Sequence, residues 1–411
     1  MELSRREALL GMVGMAATFA APRLATGNTL GGATPLPTPE WDNLKTHFLI
    51  DPNLTYLNTG SLGAVPKIVL EKVAAESRAL EQNPADNQYQ LFTEKLFAVK
   101  RAVADFINCK TDELVMTGGT TDGMALLMEA LPLEPGQRVL ITDKEYGRIR
   151  EYWEYYCRRA GATLDIVKLP LLPRDEAEIV TLVAAAIRPE TRALCISHVT
   201  TANGVRLPVK AIGEAIKHTD CLLLVDGAQA VGAIEVDVQA LGCDAYAASG
   251  HKWLLGPKGT GFLYVAERAK QSFPSPKLSG GYGDRANTIS AQNLPNIIGL
   301  GASLEWLAKL DHAKRHERLK LLRSNLYNRL AALECLELLS PPSESPLSSP
   351  LVALRLRDPA KRKGILAAAS KKGISVKTMG EQQAVDLRVG CHIYNNEQNI
   401  VRFIDFLIES C

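Results

Sequence analysis

Short apolar runs alternate with helical patterns between residues 114 and 265, and this alternation constrains the fold more than any other feature. Helical periodicity marks residues 148–160, 175–187 and 208–218, which lie between the runs. Strands that alternate with helices form a largely parallel sheet, whose ligands bind at the carboxyl ends of the strands. The sequence therefore predicts an α/β domain with strands at residues 114–117, 138–142, 164–169, 193–199, 222–225, 245–248 and 261–265.

The pattern changes after residue 300. A long helical stretch over residues 301–333 leads to a Ser/Pro-rich loop. Strand candidates at 351–356, 374–377 and 385–389 then alternate with helices at 359–371 and 397–409. We predict a smaller α+β domain over residues 301–411, a large domain over residues 60–300, and an N-terminal arm over residues 26–59 that joins the small domain. A chain of 411 residues is long enough for both domains.

The first 25 residues have the pattern of an export signal. Ser4, Arg5 and Arg6 precede an uncharged apolar stretch over residues 8–21, which is typical of twin-arginine signals. The stretch is shorter than the roughly 20 residues needed to span a bilayer, and small residues follow it as cleavage sites. We therefore expect a bacterial periplasmic protein that meets the membrane only during export.

Charge and cysteine spacing exclude several classes of function. The formal net charge is +2 and no basic run stands out, so nucleic acid is not an expected partner. The eight cysteines show no C-x-x-C spacing, so neither a metal site nor a redox motif is predicted. We expect mostly free, buried thiols, and one disulfide stays open.

Two motifs at the ends of predicted strands carry the candidate chemistry. The first, L-L-L-V-D-G-A-Q, ends a buried strand at Asp226, and the second, S-G-H-K-W-L-L-G-P-K-G-T-G, contains Lys252. A buried aspartate needs a cation, and a protonated pyridine nitrogen is such a cation. A desolvated lysine amine loses its proton near neutral pH and condenses with an aldehyde. Either residue alone would indicate only a turn or a solvated loop, but together they predict pyridoxal phosphate bound as a Schiff base to Lys252.

With these motifs the chain resembles the class V aminotransferase family of fold-type I pyridoxal-phosphate enzymes, from about Tyr56 to the C-terminus. It is most similar to the isopenicillin N epimerase-like branch, through Y-L-N-T-G-S-L-G at residues 56–63, S-H-V-T-T-A-N-G at 197–204 and the S-G-H-K motif. The resemblance implies a mostly parallel seven-stranded sheet in the large domain. It also implies a homodimer with the active site at the subunit interface.

The turn T-G-G-T-T-D-G at residues 117–123 resembles the phosphate-binding turn of the family. Free N–H groups of Thr120 and Thr121 at a helix N-terminus suit a dianionic phosphate, although a helix cap without a ligand has the same pattern. The resemblance further implies that Ser249 and His251 bind the same phosphate.

Other roles come from the resemblance alone. Tyr146 stands where the family places an aromatic ring over the cofactor, although ordinary packing would also account for it. Gln229 matches the partner of the cofactor's phenolic oxygen, and Thr200 or Thr201 falls close to that oxygen.

Arg388, in D-L-R-V-G, resembles the arginine that grips the substrate's α-carboxylate, and a guanidinium suits that task because it forms two parallel hydrogen bonds. An arginine paired with Asp386 or exposed on an edge strand is the structural alternative.

Two departures from the family stand out. Residues 286–293 lack the usual Gly-Thr that a neighbouring subunit supplies to the phosphate, so Thr288 or Ser290 is the substitute. Residues 379–385 contain no cysteine, which disfavours desulfurase activity.

We therefore predict an exported pyridoxal-phosphate enzyme that acts at the amino group or the α-carbon of an amino-acid-like substrate. Racemisation, transamination, β-elimination and oxidative decarboxylation all stay open. Analogy with exported members of the branch implies an amino-acid group on a secreted siderophore-type peptide. One alternative is a cofactor-binding module without turnover, in which Arg388 has lost its function. The other is a hydrolase that uses Ser249 and His251, for which no oxyanion motif or G-x-S-x-G is present.

Overall fold

The computed structural model describes residues 41–86, 92–275, 278, 293–379 and 385–410. The predicted export signal lies outside these residues, as do Thr288 and Ser290. Within the described ranges, no helix is long and apolar enough to cross a membrane.

The strands are β1 (Thr55–Tyr56), β2 (Leu114–Thr117), β3 (Arg138–Thr142), β4 (Thr163–Val167), β5 (Thr191–Ser197), β6 (Leu222–Asp226), β7 (Ala245–Ser249), β8 (Gly261–Val265), β9 (Leu336–Leu338), β10 (Leu351–Leu356), β11 (Ile374–Ser375) and β12 (Leu387–Gly390). The α-helices are α1 (Trp41–Leu44), α2 (Lys67–Gln82), α3 (Pro84–Asp86), α4 (Phe92–Ile107), α5 (Thr120–Ala130), α6 (Gly147–Ala160), α7 (Glu176–Ala186), α8 (Val209–Ile216), α9 (Val238–Leu241), α10 (Leu294–Ala308), α11 (His312–Ala331), α12 (Pro359–Arg362), α13 (Ile365–Lys371) and α14 (Glu397–Ser410). Short 3-10 helices span Lys45–His47, Thr111–Glu113 and Glu267–Ser272.

The seven predicted strands form one sheet in the order β2-β8-β7-β6-β5-β3-β4. All neighbours are parallel except at β8, which runs antiparallel to β2 and β7. Every residue of β6, β7 and β8 is buried, as expected for strands covered on both faces. The predicted α/β fold with a mostly parallel sheet is confirmed.

The parallel register brings the polar residues that end the strands to one edge of the sheet. Ser197 at the end of β5 lies beside Asp226 at the end of β6, and Asp226 lies beside Ala247 of β7. Ser249 ends β7 two residues later. The strand ends therefore form a polar edge above an apolar sheet.

The C-terminal region contains a second hydrophobic core and a three-stranded antiparallel sheet, β12-β10-β9. Leu57, which lies before residue 60, packs in this core with residues such as Leu354 and Phe403. The short strand β1 pairs in parallel with β11. These contacts suit an N-terminal arm that joins the small domain, and the boundaries at residues 60 and 300 stay predictions.

Two helical stretches are divided where the sequence predicts continuity. The stretch predicted at 301–333 consists of α10 and α11, because the Asp311 side chain accepts a hydrogen bond from the Lys314 N–H and starts a new helix. The helix predicted at 359–371 is interrupted at Gly364, whose φ of 88° favours glycine. Short-range periodicity does not register such breaks.

Most cysteines behave as the sequence predicts. Cys157, Cys195, Cys221, Cys243 and Cys391 are free and buried, and Cys109 is free and half-buried. Cys335 is disulfide-bonded, so the disulfide that the sequence left open is present.

Candidate active site

A cavity of about 700 Å³ opens at the carboxyl edge of the large sheet. Its walls come from the turn after β2, the ends of β5 and β6, the segment after β7 and the region around β12. Of the site residues predicted from the sequence, those that line it are Thr120, Thr121, Tyr146, Thr201, Asp226, Gln229, Ser249, His251, Lys252 and Arg388. The fold therefore brings nearly the whole predicted set into one space.

The turn between β2 and α5 lines the cavity. Gly119 has a φ of 151°, and a Cβ there would lie 3.2 Å from His251 Cε1 and 3.3 Å from Ser249 Oγ. The backbone thus approaches both side chains closely. The Thr120 N–H donates to Ser249 Oγ at 3.0 Å, and the two hydroxyls are 2.8 Å apart. Thr120, Ser249 and His251 therefore meet at the N-terminus of α5. The Thr120 N–H, which the sequence predicts to be free, is bonded to Ser249, and phosphate binding at this turn stays a prediction.

His251 supplies a test of whether a phosphate fits this turn. Its Nδ1 is buried and has no hydrogen-bond partner. Burial lowers the pKa of His251, and the charge of Lys252 lowers it further. A buried polar nitrogen without a partner costs free energy, which an oxygen of a bound phosphate would remove. The turn fits the phosphate of the predicted cofactor.

Lys252 and Asp226 both line the cavity. Burial lowers the pKa of the Lys252 amine to about 8, although the charge of Asp226 acts in the opposite direction. Burial raises the pKa of the Asp226 carboxyl, whereas a hydrogen bond from the Ala228 N–H at 2.8 Å and the charge of Lys252 lower it. A fraction of the amine is therefore neutral near neutral pH, as condensation with an aldehyde requires.

The segment before Lys252 packs against the Y-L-N-T-G-S-L-G motif. The Gly63 N–H donates to the His251 carbonyl at 2.8 Å. A Cβ on Gly63 would lie 2.0 Å from the Lys252 carbonyl oxygen, so only glycine allows this approach. The motif positions the backbone that carries the lysine.

Gln229 is held between the two sides of the cavity. Its Nε2 donates to the Gly60 carbonyl at 2.7 Å and lies 3.4 Å from Thr201 Oγ1. Its Oε1 accepts from the Trp253 indole N–H at 2.9 Å. The predicted contact of Gln229 with the cofactor's phenolic oxygen stays a prediction, and the amide nitrogen is the group on the cavity side.

Arg388 is buried, and its guanidinium is held by hydrogen bonds. Nη1 donates to the Thr201 carbonyl at 2.9 Å and to Thr201 Oγ1 at 3.0 Å, and Nη2 donates to Ser61 Oγ at 3.0 Å. Burial lowers its pKa to about 10, so the group stays charged at neutral pH. Asp386 pairs instead with Arg362 at 3.2 Å, so a pairing of Arg388 with Asp386 is wrong. Within the described residues, the positive charge of Arg388 has no carboxylate partner.

The structure gives the positions of Tyr146, Thr200 and Thr201, for which the sequence left alternatives open. Tyr146 precedes α6 and is 47% exposed at the cavity wall, where its stacking on a cofactor stays a prediction. Thr200 Oγ1 donates to Asn203 Oδ1 at 2.6 Å and accepts from the Val205 N–H at 2.9 Å, so it serves a local turn. Only Thr201 of the pair lines the cavity.

Several residues at or behind this site were missed by the sequence reasoning. Ser61, Lys377 and Trp253 contact or line the site, but their placement depends on chain pairing over long distances; Lys377, for example, forms a bridge with Arg388. Glu145 is buried behind the cavity, where its carboxylate accepts from Thr142 Oγ1 at 2.7 Å and Ser197 Oγ at 2.6 Å. Burial raises the pKa of Glu145 to about 7. Its position next to Tyr146 was the available signal.

The geometry does not support the hydrolase alternative. Ser249 Oγ bonds to Thr120, and His251 Nδ1 lacks a partner, so the two side chains do not form the pair that activates a serine nucleophile. No cluster of metal-ligating side chains occurs among the residues that the structure describes.

Comparison with known proteins identifies the family of this chain. The profile of the family described as Aminotransferase class-V matches residues 55–403. Isopenicillin N epimerase from Amycolatopsis lactamdurans is 30% identical over 392 residues, which cover 90% of this chain and 98% of that relative. A cysteine desulfurase from Salmonella typhimurium is 31% identical over 312 residues, which cover 70% of this chain and 75% of that relative.

Solved structures show the same fold. The cystine C-S lyase C-DES, in complex with its product cysteine persulfide, has a TM-score of 0.79 and 24% identity, covering 86% of this chain and 97% of that one. A cysteine desulfurase from Escherichia coli has a TM-score of 0.77 and 21% identity, covering 91% and 99%. The profile match and the identity to the epimerase establish the family. This chain belongs to the aminotransferase class-V family and is a pyridoxal-phosphate enzyme.

Proposed function

We propose that this protein is an exported enzyme that moves a proton at the α-carbon of an amino-acid-like substrate, with epimerisation as the outcome. One observation carries the proposal: a lysine amine with a pKa of about 8 lines the same cavity as an arginine that has no carboxylate partner among the described residues. The amine suits proton transfer, and the arginine suits a substrate with a free α-carboxylate.

When bound, the cofactor supplies a pyridine ring that withdraws charge from the substrate's α-carbon. Asp226 would hold a proton on the ring nitrogen, because a buried carboxylate is stabilised by a cation in contact with it. Thr120, Ser249 and His251 would hold the phosphate at the N-terminus of α5. These contacts orient the ring against Lys252.

Lys252 would accept the α-proton on one face of the α-carbon, and inversion of configuration then requires a second donor that delivers a proton to the opposite face. The Lys252 pKa of about 8 lies near the operating pH, which is the condition for an efficient general base. Arg388 would hold the substrate's carboxylate in a fixed position. This would orient the substrate so that its α-hydrogen points toward Lys252.

The cysteines argue against sulfur removal. Cys391 is the cysteine closest in sequence to Arg388, but it is buried in the second core and burial raises its pKa to about 12. A buried thiol with a raised pKa is a poor nucleophile. None of the residues lining the described cavity is a cysteine. The longer coverage of the epimerase relative supports the same choice.

We further propose twin-arginine export, a homodimer, and a substrate larger than a free amino acid, such as a siderophore-type peptide. The disulfide at Cys335 suits an oxidising compartment. A cavity of about 700 Å³ leaves room beyond a cofactor and one amino acid. Replacing Arg5 and Arg6 by Lys should retain the protein in the cytoplasm, and unchanged periplasmic recovery would contradict this pathway.

The reaction is tested by incubating the holoenzyme with a panel of amino acids and peptides in D₂O. We expect deuterium at the α-carbon and the opposite stereoisomer as product, measured by NMR and chiral chromatography, and both should be absent in Lys252→Ala. A keto acid as the main product would instead indicate transamination. Release of sulfide from cysteine would indicate desulfurase chemistry.

A further inference from the structure

The orientation of the Gln229 amide is fixed by two partners of opposite kind. An indole N–H can only donate, so the atom that Trp253 contacts at 2.9 Å must be the amide oxygen. A carbonyl can only accept, so the atom 2.7 Å from the Gly60 oxygen must be the amide nitrogen. In the inverted amide, the N–H₂ group would face the indole N–H, and the amide oxygen would face the Gly60 carbonyl oxygen. Neither pair can form a hydrogen bond. One orientation is therefore strongly preferred.

Trp253 is held in place by hydrogen bonds at its indole N–H and at its backbone carbonyl. Its side chain is 1% exposed, and its carbonyl accepts a hydrogen bond from His392 Nε2 at 3.1 Å. His392 Nδ1 accepts from the Ile393 N–H at 2.9 Å, so the tautomer with a proton on Nε2 is the one present. The indole N–H is thus a fixed donor, one residue after Lys252.

The two ends of the Gln229 amide face different surroundings. Gly60 and Thr201, which lie near the amide nitrogen, line the cavity, whereas Trp253 does not. We propose that Trp253 is a positioning residue for the cofactor: its indole N–H holds the Gln229 oxygen away from the cavity and so directs the second amide N–H, whose contact with Thr201 Oγ1 is long at 3.4 Å, toward the cofactor's phenolic oxygen. This inference rests on the proposed function, since it needs the cofactor contact proposed for Gln229.

Removing the indole N–H would leave the Gly60 carbonyl and the longer contact to Thr201 Oγ1 as the partners that favour the present orientation. In part of the molecules the amide oxygen would then face the phenolic oxygen and repel its negative charge. The proton next to the phenolic oxygen of the bound cofactor would then be lost less readily. The midpoint pH at which the visible absorption changes would therefore be higher. Complete loss of a hydrogen bond to a charged group would shift the titration midpoint by about one to two pH units. Because the hydrogen bond is retained in part of the molecules, we expect a shift of roughly 0.5 to 1 unit.

The test is a double-mutant cycle read by the visible absorption of the holoenzyme as a function of pH. Trp253→Phe keeps an aromatic ring but removes the donor, and Gln229→Ala removes the amide. We expect each single variant to raise the midpoint and the double variant to match Gln229→Ala alone. Trp306→Phe, a buried indole outside the cavity, is the matched control and should leave the midpoint unchanged.

The outcomes separate this inference from the proposed function. A wild-type protein that takes up no cofactor and shows no visible band would contradict the proposed function itself. With the band present, an unshifted Trp253→Phe midpoint would overturn the inference. An equal shift in the wild-type and Gln229→Ala backgrounds would overturn it too, because Trp253 would then act by another route.

A second measurement covers the case in which Trp253→Phe does not fold. In the wild-type holoenzyme labelled with ¹⁵N-tryptophan, the Trp253 indole N–H should exchange with D₂O at least 100-fold more slowly than that of free tryptophan. The indole signals of the four tryptophans are assigned from variants at the other three positions. Exchange as fast as in free tryptophan would refute the hydrogen bond on which the proposal depends.

Discussion

The two walls of the active-site cavity are built from different kinds of chain segment. The cofactor wall comes from the strand ends and turns of the large sheet; its members are Thr120, Asp226, Ser249 and Lys252. The carboxylate wall combines segments that are distant in sequence; its members are Ser61, Thr201, Lys377 and Arg388. Arg388 and Ser61, which are hydrogen-bonded, are 327 positions apart.

This difference suggests a division of labour. The side chains of the cofactor wall bond to each other, as Thr120 and Ser249 do, and Ser249 ends β7, a strand whose residues are all buried. The carboxylate wall is assembled only when β12 packs beside the segment that contains Ser61. A change in the cofactor wall should therefore impair cofactor retention, and a change in the carboxylate wall should mainly impair substrate use.

The largest effect is expected at Lys252. Lys252→Ala should remove covalent attachment of the cofactor and lower turnover by about 10² to 10⁴-fold, because the general base is lost. Borohydride reduction of the yellow wild-type protein, followed by peptide mapping, should place the label on Lys252. Lys258→Ala is the control, since this exposed lysine donates to the Gly63 carbonyl outside the cavity. A label on Lys258 would refute the assignment.

Arg388 should show the opposite profile. Arg388→Ala should lower kcat/KM by roughly 30-fold or more, because a desolvated carboxylate loses a bidentate contact worth about 2 to 5 kcal/mol. The visible spectrum should persist, since the proposed cofactor contacts are retained. Arg388→Lys should recover little, because an ammonium group cannot form the planar pair of hydrogen bonds. Near-normal kcat/KM in Arg388→Ala would mean that the substrate is recognised through another group.

A matched pair of serine variants compares the walls directly. Ser249→Ala should weaken cofactor affinity by about 5- to 10-fold, the cost of one hydrogen bond, with KM nearly unchanged. Ser61→Ala should raise KM by a similar factor without changing cofactor affinity, because the guanidinium loses one of its supports. Equilibrium titration of the apoprotein and steady-state kinetics measure both quantities. If both variants changed both quantities equally, the proposed division would be wrong.

The same difference explains how much the sequence could predict. Asp226, Ser249 and Lys252 lie in short motifs at strand ends, and periodicity alone places the ends of parallel strands at one edge. Arg388 was found through the resemblance, but its contacts with Ser61 and Thr201 depend on the register of β10 and β12 and on a backbone bridge at Lys377. No local pattern encodes such long-range pairings. Trp253 was part of a recognised motif, yet its bond to Gln229 follows only from side-chain packing.

The two walls meet at Lys252, and the smallest predicted effect tests that contact. The negative charge of Asp226 raises the pKa of the amine, and the positive charge of Arg388 lowers it. The neutral amine is the form that condenses with the cofactor, so uptake by the apoprotein should become faster as pH rises through about 8. Asp226→Asn should move the midpoint of this pH profile down, and Arg388→Met should move it up, each by less than about one unit.

Stopped-flow absorbance after mixing apoprotein with pyridoxal phosphate measures these midpoints, and Lys258→Ala should leave them unchanged. Opposite shifts would mean that the walls, although built separately, act on one amine through charge. Shifts of the same sign would show that desolvation alone controls the pKa of the amine. Both substitutions change the packing around Lys252, but they remove charges of opposite sign, so an effect of charge must give opposite shifts. In that case, the carboxylate wall would influence the substrate but not the chemistry at Lys252.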